Sequence, residues 1–354
     1  MIVPPGSTIG IVGGGQLGRM LAIAAAQLGY RTHIYAPEEA PPAAEVSAAF
    51  TRGEYDDEDA LARFGASVAV ATYEFENIAA APLDALAAQA PLYPPRRALE
   101  IAQDRLAEKE FVASLGGHPA RFAPVGNRAE LDSALAVTGC PAILKTRRFG
   151  YDGKGQIRIG NASEGDAAWA AMRGAPSILE AFVEFDAEFS ILLCRAASGD
   201  IVFWDAPRNA HLSGILDQSF APAGAEVAAV AGQARDLARA AAAALDYVGV
   251  LTLEFFATPN GPVFNEMAPR VHNSGHWTIE GAFSSQFENH IRAICGLPLG
   301  DTGMIVPRIR MKNLIGDDAA GWHDILADPC AHLHLYGKDE ARPGRKMGHV
   351  TWLG

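Results

Sequence analysis

Three observations place this chain in a mixed α/β and α+β class. The first hundred residues follow a strand–helix–strand rhythm, a glycine-rich loop follows a lysine-ended strand, and two apolar strands each carry a glutamate. With 354 residues, 49% hydrophobic and 20% charged, the chain has material for two or three packed units. Thr8–Val12 reads as a short buried strand, followed by a glycine turn, a helix over 17–28 that Gly29 stops, and a strand over 31–35. Another strand is expected over 68–72. This order predicts a doubly wound parallel sheet ending near residue 100.

Within that unit Gly13-x-Gly15-x-x-Gly18 matches a dinucleotide fingerprint. The acidic residue that should close the second strand is displaced, because Tyr35-Ala36-Pro37 precede Glu38. A nicotinamide or flavin site is therefore the minor reading. The physical element that survives is an anion held by glycine N–H groups at a helix N-terminus, with Gln16 beside it.

A second unit begins after Pro94-Pro95. Residues 99–115 read as one helix carrying Arg105 and Lys109 four apart on one face. A strand over 142–145 ends in Lys145, and the loop Arg147-Arg148-Phe149-Gly150-Tyr151-Asp152-Gly153-Lys154-Gly155-Gln156 concentrates glycines and cations. A strand over 178–183 carries Glu180-Ala181-Phe182-Val183. Strands over 188–193 and 201–204 pair in a third unit, and the alanine-rich stretch 225–245 is a covering helix.

Glu254 and Glu266 are equally spaced about Asn260, beside an Asn-Gly turn signal. An odd-length loop sets the two carboxylates opposite one another on one face, whereas a one-residue slip separates them. Both sit in apolar strands, where a carboxylate is costly without a cation or a hydrogen-bond partner. With Asn265 they form a hard, oxygen-rich site. Such a site suits magnesium, which shares its shell with phosphate oxygens, so the hairpin points to metal-assisted chemistry on a nucleotide.

A formal net charge of -12 argues against a nucleic-acid partner. No run of eighteen apolar residues is present, so no membrane span is expected, and the first residues lack a secretory pattern. Cys140, Cys194, Cys295 and Cys330 are scattered without a Cys-x-x-Cys pair, which fits structural thiols in a reducing cytoplasm.

The lysine strand, glycine-rich loop, Glu-Ala-Phe-Val segment and paired acidic strands, in that order, resemble the ATP-grasp superfamily. More narrowly, Gly14-Gly-Gln-Leu-Gly-Arg-Met20, Tyr73-Glu-Phe-Glu-Asn77, Gly150-Tyr-Asp-Gly153, the run from Met267 to Trp277 and Arg342-Pro-Gly-Arg-Lys-Met-Gly-His349 resemble the N5-carboxyaminoimidazole ribonucleotide synthases of purine biosynthesis. The similarity runs from about Ile9 to the end of the chain. It implies an N-terminal Rossmann-like domain over 1–104, a small lid domain over 105–183 and an antiparallel-sheet domain over 184–354, with the ATP-grasp region at about 109–295.

The resemblance also implies a reaction. ATP phosphorylates bicarbonate to carboxyphosphate, and the carboxyl carbon passes to aminoimidazole ribonucleotide, releasing ADP and phosphate. On this resemblance ATP is held by Arg105, Lys145, Gly150, Tyr151, Asp152, Gly153, Lys154, Gly155, Gln156, Glu180, Ala181, Phe182, Val183, Glu188, His211, Asn265 and Glu266. Glu254 and Glu266 hold Mg2+. Arg270, His272, Asn273 and Ser274 act on bicarbonate or carboxyphosphate. Gln16, Leu17, Glu76, Tyr151, Asp152, Lys154, Lys338, Arg345 and Lys346 meet the ribonucleotide, and a homodimer is expected. His332, His334 and His349 lack metal-ligand spacing and read as structural. The competing readings are a ligase that joins formate to glycinamide ribonucleotide, a nicotinamide-dependent oxidoreductase and a non-catalytic ATP-binding regulator.

Overall fold

The protein, described here from a computed structural model covering residues 2–148, 150 and 155–354, is built on three sheets. The first is parallel, with strand order Ala49–Arg52, Arg31–Ala36, Thr8–Val12, Val70–Tyr73. Its predicted strands and first helix are all present within two residues, the helix spanning Gln16–Gln27. That helix buries Leu17, Met20, Leu21, Ala24 and Ala25. On the other face Glu58–Ala66 is capped by Asp57, whose carboxylate accepts from the Ala60 N–H at 2.9 Å.

The single helix expected over 99–115 is two helices, Arg96–Ala102 and Arg105–Ser114. Asp104 breaks it: its carboxylate accepts from the Leu106 N–H at 3.0 Å and from Arg147 at 2.9 and 2.6 Å. An aspartate so engaged is an N-cap, not a helix interior residue.

The second sheet is antiparallel, ordered Phe122–Val125, Ser177–Ala181, Ala142–Thr146, Gln156–Ile159. The strand expected to run to Val183 stops at Ala181 for a chemical reason. Ala181 pairs with Ala142, and the next partner is Pro141, which accepts from the Phe182 N–H at 3.0 Å but has no N–H to return.

The third sheet is antiparallel and nine-stranded. Its path runs Gly261–Ala268, Gly249–Thr258, Ala187–Arg195, Arg208–Leu212, Ile215–Ala221, Ile309–Ile315, Lys346–Leu353, Ala331–Leu335, with Ile201–Phe203 paired to Ala187–Arg195 as expected. The helix Ala225–Ala244 covers one face through Val227, Val230, Ala234 and Ala238. The other face shares one core with the first unit, where Leu21 and Ala25 join Leu192, Val250, Phe287 and Ile291. Each large apolar side chain buried there is worth about 1.5–3 kcal/mol. His290 fastens the same joint, accepting from the Val250 N–H at 3.1 Å and meeting the Thr72 hydroxyl at 2.9 Å. None of the described helices is long and apolar enough to cross a membrane.

Candidate active site

The three sheets enclose a cleft of about 660 Å3. Its floor is the hairpin formed by Gly249–Thr258 and Gly261–Ala268, and Glu254 pairs with Glu266 across it. An odd-length loop was the expected route to this register, and the structure corrects it. The loop is the two-residue Pro259-Asn260, because Thr258 pairs with Gly261, and Phe255 pairs with Phe264. A β-bulge at Asn265 then supplies the extra residue that brings Glu266 opposite Glu254.

Burial and the neighbouring Glu266 charge push the Glu254 carboxyl up to about 8. Burial opposes ionisation of Glu266 as well, but Arg105 and Lys145 hold its carboxyl below the usual range. Arg105 lies 3.1 Å from Glu266 and donates to the Gly150 carbonyl at 3.3 Å. No group of three or more His, Cys, Asp or Glu among the described residues is arranged to hold a metal ion. The opposed pair offers only hard oxygen donors. This set fits magnesium, which completes its shell with phosphate and water instead of an all-protein cage.

Behind the hairpin lies a second buried charge cluster. Lys145 Nζ is 3.0 Å and Lys109 Nζ 3.3 Å from the same oxygen of Glu180, and Lys109 also donates to the Asn265 carbonyl at 3.1 Å. Burial resists ionisation of Glu180, yet the two lysines hold it down to about 2. Its other oxygen is buried and has no hydrogen-bond partner among the described residues. Unpaired buried acceptors are rare, so such an atom marks a position for a ligand donor. Ala181, Phe182 and Val183 follow it along the cleft wall, and Glu188 bonds His211 across the neighbouring strand. Burial opposes protonation of His211, but this carboxylate raises its pKa.

Gly150 and Gln156 also line the cleft. Gly155 has φ +72, and a Cβ there would meet the Thr146 hydroxyl at 2.6 Å, so only glycine fits. Tyr151, Asp152, Gly153 and Lys154 lie outside the described residues.

After the hairpin, Arg270 is held by Glu76 through both carboxylate oxygens, one contact measuring 2.9 Å. This pair joins the first unit to the cleft floor, and its guanidinium fork is spent on Glu76. His272 sits 3.1 Å from Glu254, and burial lowers its pKa well below the usual histidine value. Gln286 clamps the His272 backbone, accepting from its N–H at 2.8 Å and donating to its carbonyl at 2.6 Å. Asn273 lines the cleft with a buried amide whose oxygen and nitrogen both lack partners among the described residues. Ser274 lies behind His272 instead, fully buried and off the cleft wall.

Of the residues expected at the ribonucleotide, Gln16, Leu17, Glu76 and Lys346 line the cleft. Lys338 and Arg345 are absent from its wall. Lys338 donates to the Lys346 carbonyl at 2.7 Å and Arg345 to the Glu340 carbonyl at 2.8 Å. His349 is buried and stacked on His334 at 4.5 Å, in line with a structural role.

The glycine fingerprint has an internal answer. The buried Glu74 carboxylate accepts from the Gly15 and Gly18 N–H groups, the latter at 2.7 Å. A Cβ on Gly13 would lie 2.3 Å from Glu74 Cγ, and one on Gly15 2.6 Å from Glu74 Oε1. The anion position at this helix N-terminus is filled by the protein's own side chain, which removes the structural basis for a nicotinamide site.

Sequence reasoning missed Glu74, Glu108, Lys109 and Gln286 as site residues. Glu108 is buried, accepts from the Met267 N–H, and is pushed up to about 8 by desolvation. The four-residue spacing of Arg105 and Lys109 was a usable signal for the lysine. Nothing local marks Gln286. The stacked pair Phe185 and Phe256, 4.7 Å apart, likewise lines the cleft without a sequence signature.

Comparison with known proteins agrees with this geometry. Residues 6–103 match the ribonucleotide synthetase preATP-grasp domain, 110–287 the ATP-grasp domain and 310–354 the phosphoribosylaminoimidazole carboxylase C-terminal domain. The N5-carboxyaminoimidazole ribonucleotide synthase of Brucella melitensis biotype 1 is 51% identical, covering 98% of this chain and 96% of its own. The crystal structure of the corresponding synthetase from Thermus thermophilus superposes with a TM-score of 0.91 at 47% identity, covering 98% of this chain and 93% of that one. The Aspergillus clavatus synthase, solved with ADP and 5-aminoimidazole ribonucleotide, gives 0.92 at 29% identity, with 99% and 94% covered.

Proposed function

Since this chain belongs to the N5-carboxyaminoimidazole ribonucleotide synthase family of ATP-grasp ligases, we propose that its cleft binds ATP, bicarbonate and aminoimidazole ribonucleotide and joins carbon to nitrogen between them. Bicarbonate oxygen attacks the γ-phosphorus of ATP and ADP leaves, giving carboxyphosphate. The exocyclic amine then attacks the carboxyl carbon, the C–O bond to phosphate breaks, and the amine loses one proton. The opposed Glu254–Glu266 pair carries this reading, because two carboxylates registered across one hairpin at the cleft floor offer a cation hard oxygen donors from both strands.

Those carboxylates would hold magnesium together with the nucleotide phosphates. A bound magnesium ion supplies charge neutralisation as the phosphoryl group moves. Lys145 and Arg105 reach the phosphates, the unpaired Glu180 oxygen accepts from the adenine amino group, and the backbone of 181–183 reads the base edge. Glu188 with His211 faces the ribose. Gly150 and Gln156, which line the cleft, contact the triphosphate. Asn273, with donor and acceptor both unpaired, suits bicarbonate, which carries a hydroxyl and an oxyanion on one carbon. Arg270, oriented by Glu76, supplies positive charge beside it. Both ring nitrogens of His272 are engaged, so it orients Glu254, and departing phosphate takes the amine proton. Gln16, Leu17, Glu76 and Lys346 line the ribonucleotide end, and Lys338 and Arg345 reach its 5′-phosphate from the rim.

The reading extends to the division into 1–104, 105–183 and 184–354, to a cytoplasmic location and to a homodimer. Phe283 and Ile305, 67% and 47% exposed, offer the dimer an apolar contact. Sedimentation at micromolar concentration tests it, and a monomer there removes it. For the reaction, purified protein with magnesium should release ADP only when bicarbonate and aminoimidazole ribonucleotide are both present. No ATP consumption under those conditions defeats the assignment, and turnover with formate and glycinamide ribonucleotide favours the other ligase.

A further inference from the structure

A line of buried polar side chains crosses the large sheet behind the cleft. The Ser219 hydroxyl donates to Asn209 Oδ1 at 2.9 Å, and Asn209 Nδ2 donates to Ser190 Oγ at 2.7 Å. Ser190 and Ser274 hydroxyls are 2.9 Å apart, and Ser274 Oγ is 2.8 Å from His272 Nδ1. His272 Nε2 ends the line 3.1 Å from Glu254. Strand pairing explains the alignment: Asn209 is registered against Ser219, and Ser190 against Glu254. Ser190, Ser219 and Ser274 are fully buried, and Asn209 nearly so. Phosphoryl transfer itself needs none of the three sheet residues, and sheet positions of this kind are ordinarily apolar.

The direction of the line follows from the imidazole end. At the imidazole, the Ser274 backbone N–H approaches Nδ1 at 3.3 Å, a long contact that favours a bare nitrogen there and a proton on Nε2. The Ser274 hydroxyl has one hydrogen, so it donates to Nδ1 and must accept from Ser190. The Ser190 oxygen then accepts from the Asn209 amide. At the far end, Ser219 donates to the amide oxygen, which leaves the amide nitrogen facing Ser190. That amide orientation agrees with the direction set at the imidazole.

We propose that Ser219, Asn209, Ser190 and Ser274 form a one-way relay that holds the His272 ring proton on Nε2, so that the imidazole N–H is aimed at Glu254. Asn209 and Ser190 are thereby positioning residues, acting through His272 on one carboxylate of the magnesium pair. With one Glu254 oxygen beside the imidazole, the other is left for a ligand in the cleft. Outer partners that orient a ligand in this way typically change metal affinity by about 10–100-fold when removed.

This inference rests on the cleft assignment above, and its test separates the two because it needs neither metal nor substrate. In metal-free protein carrying 15N-labelled histidine, His272 should give one bare Nδ1 signal and one protonated Nε2 signal, assigned by their loss in His272→Gln. Asn209→Asp replaces the amide donor with an acceptor. Ser190 then donates to the introduced carboxylate, Ser274 donates to Ser190 and accepts from the ring, so the proton should move to Nδ1. The same variant should bind Mg2+·ADP about tenfold or more weakly by calorimetry. Ser219→Ala, which removes only the outer anchor, should leave a mixture of tautomers and serves as the second variant should Asn209→Asp fail to fold. A folded Asn209→Asp protein, or a folded Ser219→Ala protein, whose His272 keeps a wholly wild-type pattern overturns the relay. Activity in the ligase assay with an unchanged tautomer would sink this inference alone.

Discussion

At the Gly13–Gly18 turn a buried carboxylate accepts from two backbone N–H groups, while at the Glu254–Glu266 hairpin two carboxylates are registered against each other with His272 beside one and Arg105 beside the other. Glu74 accepts from two backbone N–H groups and holds down the start of a helix. Glu254 is driven up to about 8 by burial and by the carboxylate it faces. The lesson is about reading acidic residues. Burial alone does not separate the two kinds of carboxylate; what differs is whether a second carboxylate is registered opposite. Glu74 ties down a helix start, whereas the registered pair presents hard oxygen donors to the cleft.

The sharpest way to break this contrast is Glu266→Gln. Turnover should fall about a thousandfold, since transition-state electrostatics of this kind are worth 10²–10³ or more. The metal-free melting temperature should fall, because Arg105 loses the carboxylate it pairs with, and a rise on thermal unfolding would contradict that pairing. Glu74→Ala should act on stability and spare turnover. Leaving two helix N–H groups without an acceptor costs about 3 kcal/mol in urea unfolding, with kcat at low temperature within threefold of wild type. Gly15→Ala, pressing a Cβ to 2.6 Å from Glu74 Oε1, should cost about 2 kcal/mol. Gly321→Ala, with open space around it, should change stability by less than about 0.5 kcal/mol.

A pH dependence comes from a buried base satisfied internally. Desolvation lowers His290 to about 3, and its Nδ1 accepts a backbone N–H. The unfolded chain takes up a proton near pH 6.5 and the folded one does not. Its contribution is therefore complete above pH 6.5 and is lost as pH falls toward 3, at about 1.4 kcal/mol per unit. Urea midpoints at pH 7.5 and 5.5 measure this slope, which His290→Gln should flatten.

These cases also show which features were legible in the residues. The parallel sheet was, because apolar runs and glycine stops report strand and helix periods locally. The facing glutamates were anticipated from their apolar surroundings, although the loop parity was wrong and a bulge at Asn265 restored the register. A bulge leaves no local mark, since any residue is able to occupy it. The break at Asp104 was readable, as aspartate is a strong cap, but the surrounding helix formers outweighed it. Glu74 was hidden because Tyr73-Glu-Phe-Glu-Asn77 offers two glutamates, and only tertiary packing sends one to the glycine turn and the other to Arg270. Gln286 and Ser190 were invisible for the same reason: their partners are remote in sequence.

One absent hydrogen atom decides where this protein opens its main chain to a guest. Because Pro141 has nothing to donate, the ladder beside it ends at Ala181, and the peptide groups at Val183 escape being consumed by a neighbouring strand. In the proposed ATP site, the bare amides offered to a flat heterocycle therefore begin at an imino acid on the adjacent segment. An ordinary residue at 141 would invite the sheet to zip one step further and shorten the stretch left for the nucleobase.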